Sequence, residues 1–451
     1  MSCTSFQANR AFQGQIIMND SIKTYSLFAA VLFLIVITGI IQSWNSALFI
    51  LNMGLISAVM ALGVNLQWGI AGLLNVGIMG FVGLGGLAAV LVGMQPVPEA
   101  WDAGGLRILL GLLFGVLTIV LSILIYKKII NSRWRFISIS IFLICGFFVY
   151  KKILTPGVIA VEAVNPAATG YLGGLGFPIL LAWPVGGLLA AGAAWIIGKT
   201  ALGLRSDYLA IATLGISEII IAILKNEDWM TRGVKNVAGI PRPVPYEIDL
   251  QASESFVTRA ESFGLDPTTA STLFVKIAYA GLFGLVLFLL VWLSQRALNS
   301  PWGRMMRAIR DNETAAQAMG KNIKARHLQI FILGSAVCGI AGAMMTTLDA
   351  QLTPGAYQPL RFTFLIWVMV IVGGSGSNLG SILGGFLVWF LWVQVEPIGY
   401  WLVDLITLPL DPENALRLHL LDSVAQMRLL TMGFFLLLML RFYPRGMIPE
   451  K

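Results

Sequence analysis

A chain of 451 residues that is 57% hydrophobic and only 12% charged, with a mean hydropathy of +0.82, is not composed like a water-soluble protein, in which about a quarter of residues carry charge. Its net charge of +8 calls for no nucleic-acid partner, because basic residues in a membrane chain gather in the short loops of one side. Cys3, Cys145 and Cys338 are widely separated, Cys145 and Cys338 lie in apolar runs, and His327 and His419 form no cluster with them, so neither a disulfide framework nor a metal site is expected.

Residues 1–25 are polar. The run Ser26–Ser43 is the first apolar span, read as retained because no small-residue cleavage pattern follows it. Ala47–Leu66 and Val76–Gly93 come next, interrupted around Gln67, Trp68 and Gly69. Asn65, Gln67 and Asn75 cluster at this interruption. Polar groups at a membrane-embedded break either line a permeation path or satisfy loops and helix ends, and both readings stand for these three. Ile108–Tyr126 and Phe136–Tyr150 are two further runs, joined by the basic linker KKIINSRWR.

The run Phe177–Gly198 ends in AGAAWIIGKT. A phosphate-binding loop needs glycine five residues before its Gly-Lys pair; Ala193 is there, and Gly192 is one residue too far. The segment is also a membrane helix rather than a strand-to-loop junction, so no nucleotide site is read here. LRSDYLAIATLGISEIIIAILKN, from Leu204 to Asn226, carries Glu218 well inside an apolar run. A carboxylate there faces a translocation path, bonds helix backbone, or pairs with a cation. A long polar loop over 226–272, containing GIPRPVP, is expected outside, and Leu273–Leu293 follows.

The most charged segment between apolar runs is 300–327, SPWGRMMRAIRDNETAAQAMGKNIKARH, with Arg304, Arg307, Arg310, Lys321, Lys324 and Arg326 against Asp311 and Glu313. Placing these charges at a bilayer centre would cost on the order of 20 kcal/mol, so the segment lies in water. Ser300 and Pro301 read as a helix start, Met305, Ile309, Ala316 and Met319 as one face, and Gly320 as a stop. A second short basic stretch, Asn322–His327, completes the expected helix pair.

Beyond it come Leu328–Leu348, a short turn with LTPGAYQP, and Phe362–Val372. The turn GGSGSNLG (Gly373, Gly374, Gly376 and Ser377 among its residues), Ser381–Val395 and a partly amphipathic outer stretch over 396–427 follow. Leu429–Leu440 and the ending RFYPRGMIPEK close the chain. Continuous runs exclude a β-barrel, whose strands alternate. The expectation is an all-α, polytopic helical membrane protein with about 10–12 transmembrane helices, both ends on the cytoplasmic side by the distribution of basic residues.

The wording SPWGRMMRAIRDNETAAQAMG resembles the cytoplasmic EAA-type coupling loop of ABC importer permeases, in particular those of the LivM type for branched-chain amino acids. LLNVGIMGFVGLGGLAAVLV, the Arg-x-Asp-Tyr-Leu-Ala-Ile stretch from Arg205, LTPGAYQP and the glycine turn resemble the same family. The region 108–170 looks like an inserted hairpin, within a permease domain over 26–445 and ahead of a short tail, 446–451. The resemblance implies that the 300–327 loop docks on a cytoplasmic ATPase through Arg304, Arg307, Arg310, Asn312, Glu313, Ala316 and Gly320. It also implies two ATPase subunits that hold ATP and Mg, a second homologous permease chain, and a periplasmic or extracellular binding protein, in the inner membrane of a bacterium. This chain would itself be no enzyme and bind no cofactor. Branched-chain or related amino acids are the expected cargo, with urea or short amides as the alternative. A stand-alone secondary transporter is the rival class, and it would show paired repeats with ionisable residues near the midplane.

Overall fold

The structure, a computed structural model, describes residues 3–166, 168–409, 411 and 414–450, with side chains from residue 22 onward; Cys3 lies outside the described side chains. The described chain is overwhelmingly helical, and ten of its helices are long and apolar enough to cross a membrane, alongside two shorter apolar ones. This is a polytopic helical membrane protein.

In chain order the elements are α1 (Cys3–Ile41), α2 (Trp44–Val64), α3 (Ile78–Gly93), α4 (Leu106–Lys128) and α5 (Ser132–Ala163). After these come α6 (Ala182–Ala201), α7 (Ser206–Asn226), α8 (Pro267–Asn299), α9 (Pro301–Asp311) and α10 (Glu313–Ala318). The last five are α11 (Ile323–Asp349), α12 (Pro359–Gly373), α13 (Asn378–Ile406), α14 (Ala415–Ser423) and α15 (Met427–Phe442). Two short strands, β1 (Val237–Ala238) and β2 (Gln351–Leu352), pair antiparallel and tie the long loop after α7 to the end of α11.

The centre of the molecule is α2, α3 and α11, with α6, α12 and α13 packed around them. Lipid gives helices no hydrophobic reason to associate with one another, so close backbone approach has to do it. Glycine provides that approach: a side chain at Gly85 of α3 would run into the Gly339 carbonyl of α11, and one at Gly342 of α11 into the Val82 carbonyl of α3. The hairpin α4–α5 is different. Its helices pack chiefly on each other and leave most of their apolar faces exposed, and only a small cluster of Ala100, Ile108, Val161 and Leu172 roots it to the body.

Several boundaries differ from the sequence reading. Helix α2 does not end near Gln67 but runs on through a widened turn, Asn65–Ile70. The break is the irregular segment 72–77, and α3 begins only at Ile78. The second hairpin helix continues to Ala163, past Pro156, rather than stopping at Tyr150. The long loop after α7 holds short helices, Glu247–Ala252 and Glu254–Ser262, and α8 starts already at Pro267, where Asp266 caps it by accepting from the Thr268 and Thr269 amides. Helix α13 reaches Ile406, well into the stretch expected to lie outside.

The charged segment also folds differently in detail. Asn312 takes an extended backbone conformation and its side chain accepts from the Ala315 amide, so one helix becomes two, α9 and α10. The buried face of α9 is Gly303, Met306 and Ile309, and Met319 is 79% exposed instead of facing inward. Ser300 occupies the cap position, but its hydroxyl donates back to the Ala297 carbonyl (2.6 Å) and caps nothing. Gly320, at φ +76°, does end the element. Asn322 then caps α11, so the stretch expected as a second surface helix is the first turn of the next long one.

Candidate functional site

The surface element α9–α10 is fixed to the body by its arginines. Arg304 donates to the Asn299 carbonyl (3.2 Å) and Arg307 to the Leu298 carbonyl (3.2 Å), both at the end of α8. A helix leaves its last carbonyls without intrahelical donors, and cations are favoured there. Arg310 turns inward. Its guanidinium donates to the Gly69 carbonyl in the widened end of α2 and pairs with Glu450 of the tail at 2.7 Å, with Asp311 at 3.3 Å on its outer side. Burial works against the Arg310 charge, but the Glu450 and Asp311 carboxylates together outweigh it and raise its pKa. By contrast Asn312, Glu313 and Gly320 are exposed, and Ala316 is half-buried.

The tail reaches Arg310 because it is hydrogen-bonded to the glycine turn. Met447 donates to the Val372 carbonyl and Ile448 to the Gly373 carbonyl, each at 2.9 Å. Gly374 and Gly376 hold φ of +121° and +85°, and a side chain on Gly374 would meet the Ile448 carbonyl, so this turn admits the tail only as glycine. Ser377 caps α13 by accepting from the Gly380 amide. A cavity of about 460 Å³ at this end is lined by Tyr25, Arg307, Gly376 and Glu450, which puts the start of the α1 span, the surface element, the turn and the tail on one face.

The structure brings Asn65, Gln67 and Asn75 together just inside that face, all with essentially no exposure. The Asn65 oxygen accepts from the Gly376 amide (2.8 Å) and its nitrogen donates to Asn378 (3.1 Å). The Gln67 nitrogen donates to the Phe331 carbonyl and to the Ser335 hydroxyl, both at 2.9 Å, and its oxygen accepts from Asn75 (2.8 Å). Asn75 in turn accepts from the Gly77 amide, and its own carbonyl accepts from Trp367.

Helix α3 starts inside the protein, so its first amides need acceptors there. Thr213 and Ser217 of α7 accept from the Val76 and Gly80 amides (3.1 and 2.8 Å), and Thr363 of α12 from Met79 (3.3 Å). These hydroxyls and Ser335, Asn378 and Glu450 were not singled out in the sequence. The four-residue spacing of Thr213 and Ser217 on one face of α7 was the only available signal.

Glu218 is not part of this network. It projects from the other side of α7 into a groove of about 760 Å³ between α7, α12 and α15, with Lys225, Arg361, Leu360, Phe364 and Leu429 along it. Among the described residues it has no hydrogen bond or ion pair. A charged side chain at mid-bilayer costs about 2.5–3.5 kcal/mol, so a carboxylate held there has a use for water or a charged neighbour. Among the described residues no group of His, Cys, Asp and Glu is placed to hold a metal ion.

The chain matches the family model described as branched-chain amino acid transport system / permease component over residues 129–440. The match begins between the two hairpin helices, so it takes in α5 and leaves out α2 and α3. Among relatives, it is 30% identical over 237 residues to the high-affinity branched-chain amino acid transport system permease protein LivM of Escherichia coli, covering 51% of this chain and 54% of that one. It is 27% identical over 301 residues to a probable LivM permease of Methanocaldococcus jannaschii, covering 66% and 76%. A shorter match, 30% over 108 residues (23% and 30%), links it to the fructose import permease protein FrcC of Rhizobium meliloti. The match thus spans about half the length of the enterobacterial LivM proteins, and no solved structure matches the chain. With a family model covering more than half of its length, this chain belongs to the permease component family of branched-chain amino acid transport systems.

Proposed function

We propose that the chain is a permease subunit of an ATP-binding-cassette importer that moves branched-chain or related amino acids across the inner membrane of a bacterium by alternating access. The observation that carries this reading is the surface element α9–α10. In a chain of this permease family it is basic, amphipathic and rooted on its buried side, while α10 and Met319 stand uncovered.

In this reading the face carrying α9–α10, the tail and the start of the α1 span is cytoplasmic. Two ATPase subunits, which hold the ATP and Mg, serve the complex, and one of them grips α10 through Arg304, Asn312, Glu313, Ala316 and Gly320, with Arg307 at the edge. A second, homologous permease chain completes the membrane part. A binding protein delivers cargo to the opposite face, formed by the β1–β2 tie and the loop over 226–272. Arg310 is then less a docking residue than a strut, since it touches the docked helix, the end of α2 and the tail at once.

ATP shifts the equilibrium because it binds the closed ATPase pair more tightly than the open one. That closure moves α9–α10, and Arg310 passes the displacement to Gly69 and so to the break between α2 and α3. The relatives include a permease named for fructose, so the scaffold alone does not fix the cargo, and the LivM matches favour apolar amino acids.

The test is co-purification of the chain with its ATPases, followed by Arg307→Glu in reconstituted vesicles. The expected result is ATP hydrolysis uncoupled from leucine uptake with the chain still folded; unchanged uptake contradicts the docking assignment. A thermal-shift screen of the binding protein with leucine, urea and acetamide tests the cargo, and stabilisation by urea or acetamide alone rules out the amino acid.

A further inference from the structure

We infer that the groove between α7, α12 and α15 is a transient binding site for the zwitterionic backbone of an amino acid, with Glu218 taking the α-ammonium and Arg361 and Lys225 the α-carboxylate. The inference rests on the permease reading above and names the residues that the cargo meets.

Three observations point there. Glu218 is exposed to the groove and unpaired among the described residues, although it lies in the middle of a membrane-crossing helix. Lys225 stands seven residues further on, hence on the same face and about 10 Å nearer the outer end of α7. It lines the same groove, yet among the described residues it forms no ion pair with Glu218. Arg361, at the outer start of α12, stands over aromatic rings, Phe362 and Trp392 at 5.6 and 5.1 Å, and among the described residues has no ion pair. Opposite charges are therefore held near each other and left apart, and both have a use for an intervening molecule that carries both signs.

The rest of the groove suits an apolar side chain. Leu360, Phe364 and Leu429 are 65%, 55% and 53% exposed and line the same space. At about 760 Å³ the groove lies within the size range of small-molecule sites. A lipid headgroup offers similar charges, but Glu218 sits eight residues, or about 12 Å, below the end of α7, deeper than a headgroup rests.

The experiment uses the assembled complex in phosphatidylcholine vesicles, without binding protein or ATP. Radiolabelled leucine binding is measured and competed with isoamylamine, which lacks the carboxylate, and isocaproate, which lacks the ammonium. Saturable binding is expected, displaced at least tenfold better by unlabelled leucine than by either single-charge analogue. Glu218→Gln is expected to weaken it tenfold or more without lowering the yield of complex, and Glu218→Asp to restore part of it.

No saturable binding to the parent complex, or equal binding by Glu218→Gln, overturns the site. So does a loss of complex assembly in Glu218→Gln and in Leu360→Ala alike, which makes the groove a packing surface. Equal loss of binding when phosphatidylethanolamine replaces phosphatidylcholine identifies the occupant as lipid and also overturns it. ATP-driven uptake with binding protein, read separately on the parent complex, tests the permease reading, so the two fail independently.

Discussion

Two clusters of polar side chains lie at membrane depth in this protein, and they are built in opposite ways. Around the break between α2 and α3, Asn65, Gln67 and Asn75 are fully enclosed, and their bonds run to one another, to groups of α11, α12 and α13, or to the glycine turn. In the groove beside α7, Glu218 is exposed and unpaired among the described residues. The first cluster spends its hydrogen bonds on the fold. The second leaves its charge available. Residue type and depth do not separate a structural network from a place where something binds; the state of the partners does.

Breaking the enclosed cluster is expected to have the largest effect. Gln67→Leu removes the acceptor of Asn75 and a partner of Ser335, and each orphaned buried group costs about 1–3 kcal/mol. The expected outcome is a loss of about 3 kcal/mol in unfolding of the detergent-solubilised protein, with poor recovery of folded chain. A drop under about 0.5 kcal/mol, the size of an ordinary surface change, would erase the contrast between the clusters. Arg310→Ala comes next: it removes charge-assisted bonds to Gly69 and Glu450, worth about 1.5–3 kcal/mol each when buried and less here because the pair is a quarter exposed. Stability falls modestly, and the ratio of leucine transported to ATP hydrolysed falls more. An unchanged ratio removes the strut.

Glu450→Gln is milder, since the amide still accepts a hydrogen bond from Arg310 but loses the charge; a loss of about 0.5–1 kcal/mol is expected by thermal unfolding, diminishing at high salt. The smallest effect on stability belongs to Glu218→Gln, within about 0.5 kcal/mol, because no bond to another described residue is lost. If this variant destabilises the protein as much as Gln67→Leu does, the groove is part of the fold.

The long apolar runs were legible because a bilayer asks for continuous stretches of a set length, and the sequence supplies them. The Gly320 stop was legible because glycine relieves a positive φ. Asn312 was missed as a helix start because Met305, Ile309, Ala316 and Met319 kept a helical spacing across it, and the spacing outweighed a capping residue in plain sight. The acceptors at the start of α3 are a different matter. Thr213 and Thr363 lie more than a hundred residues from the amides they serve, and nothing local marks them. Likewise Arg310 looked like its neighbours Arg304 and Arg307, and only the packing of a tail 140 residues further on turns it inward.

The start of α3 hangs on oxygens from two other helices, Thr213 and Ser217 on one side and Thr363 on the other. Sliding either helix alone past this junction strips acceptors from the first amides of α3. The three helices are therefore expected to shift as one block in any rearrangement at this junction.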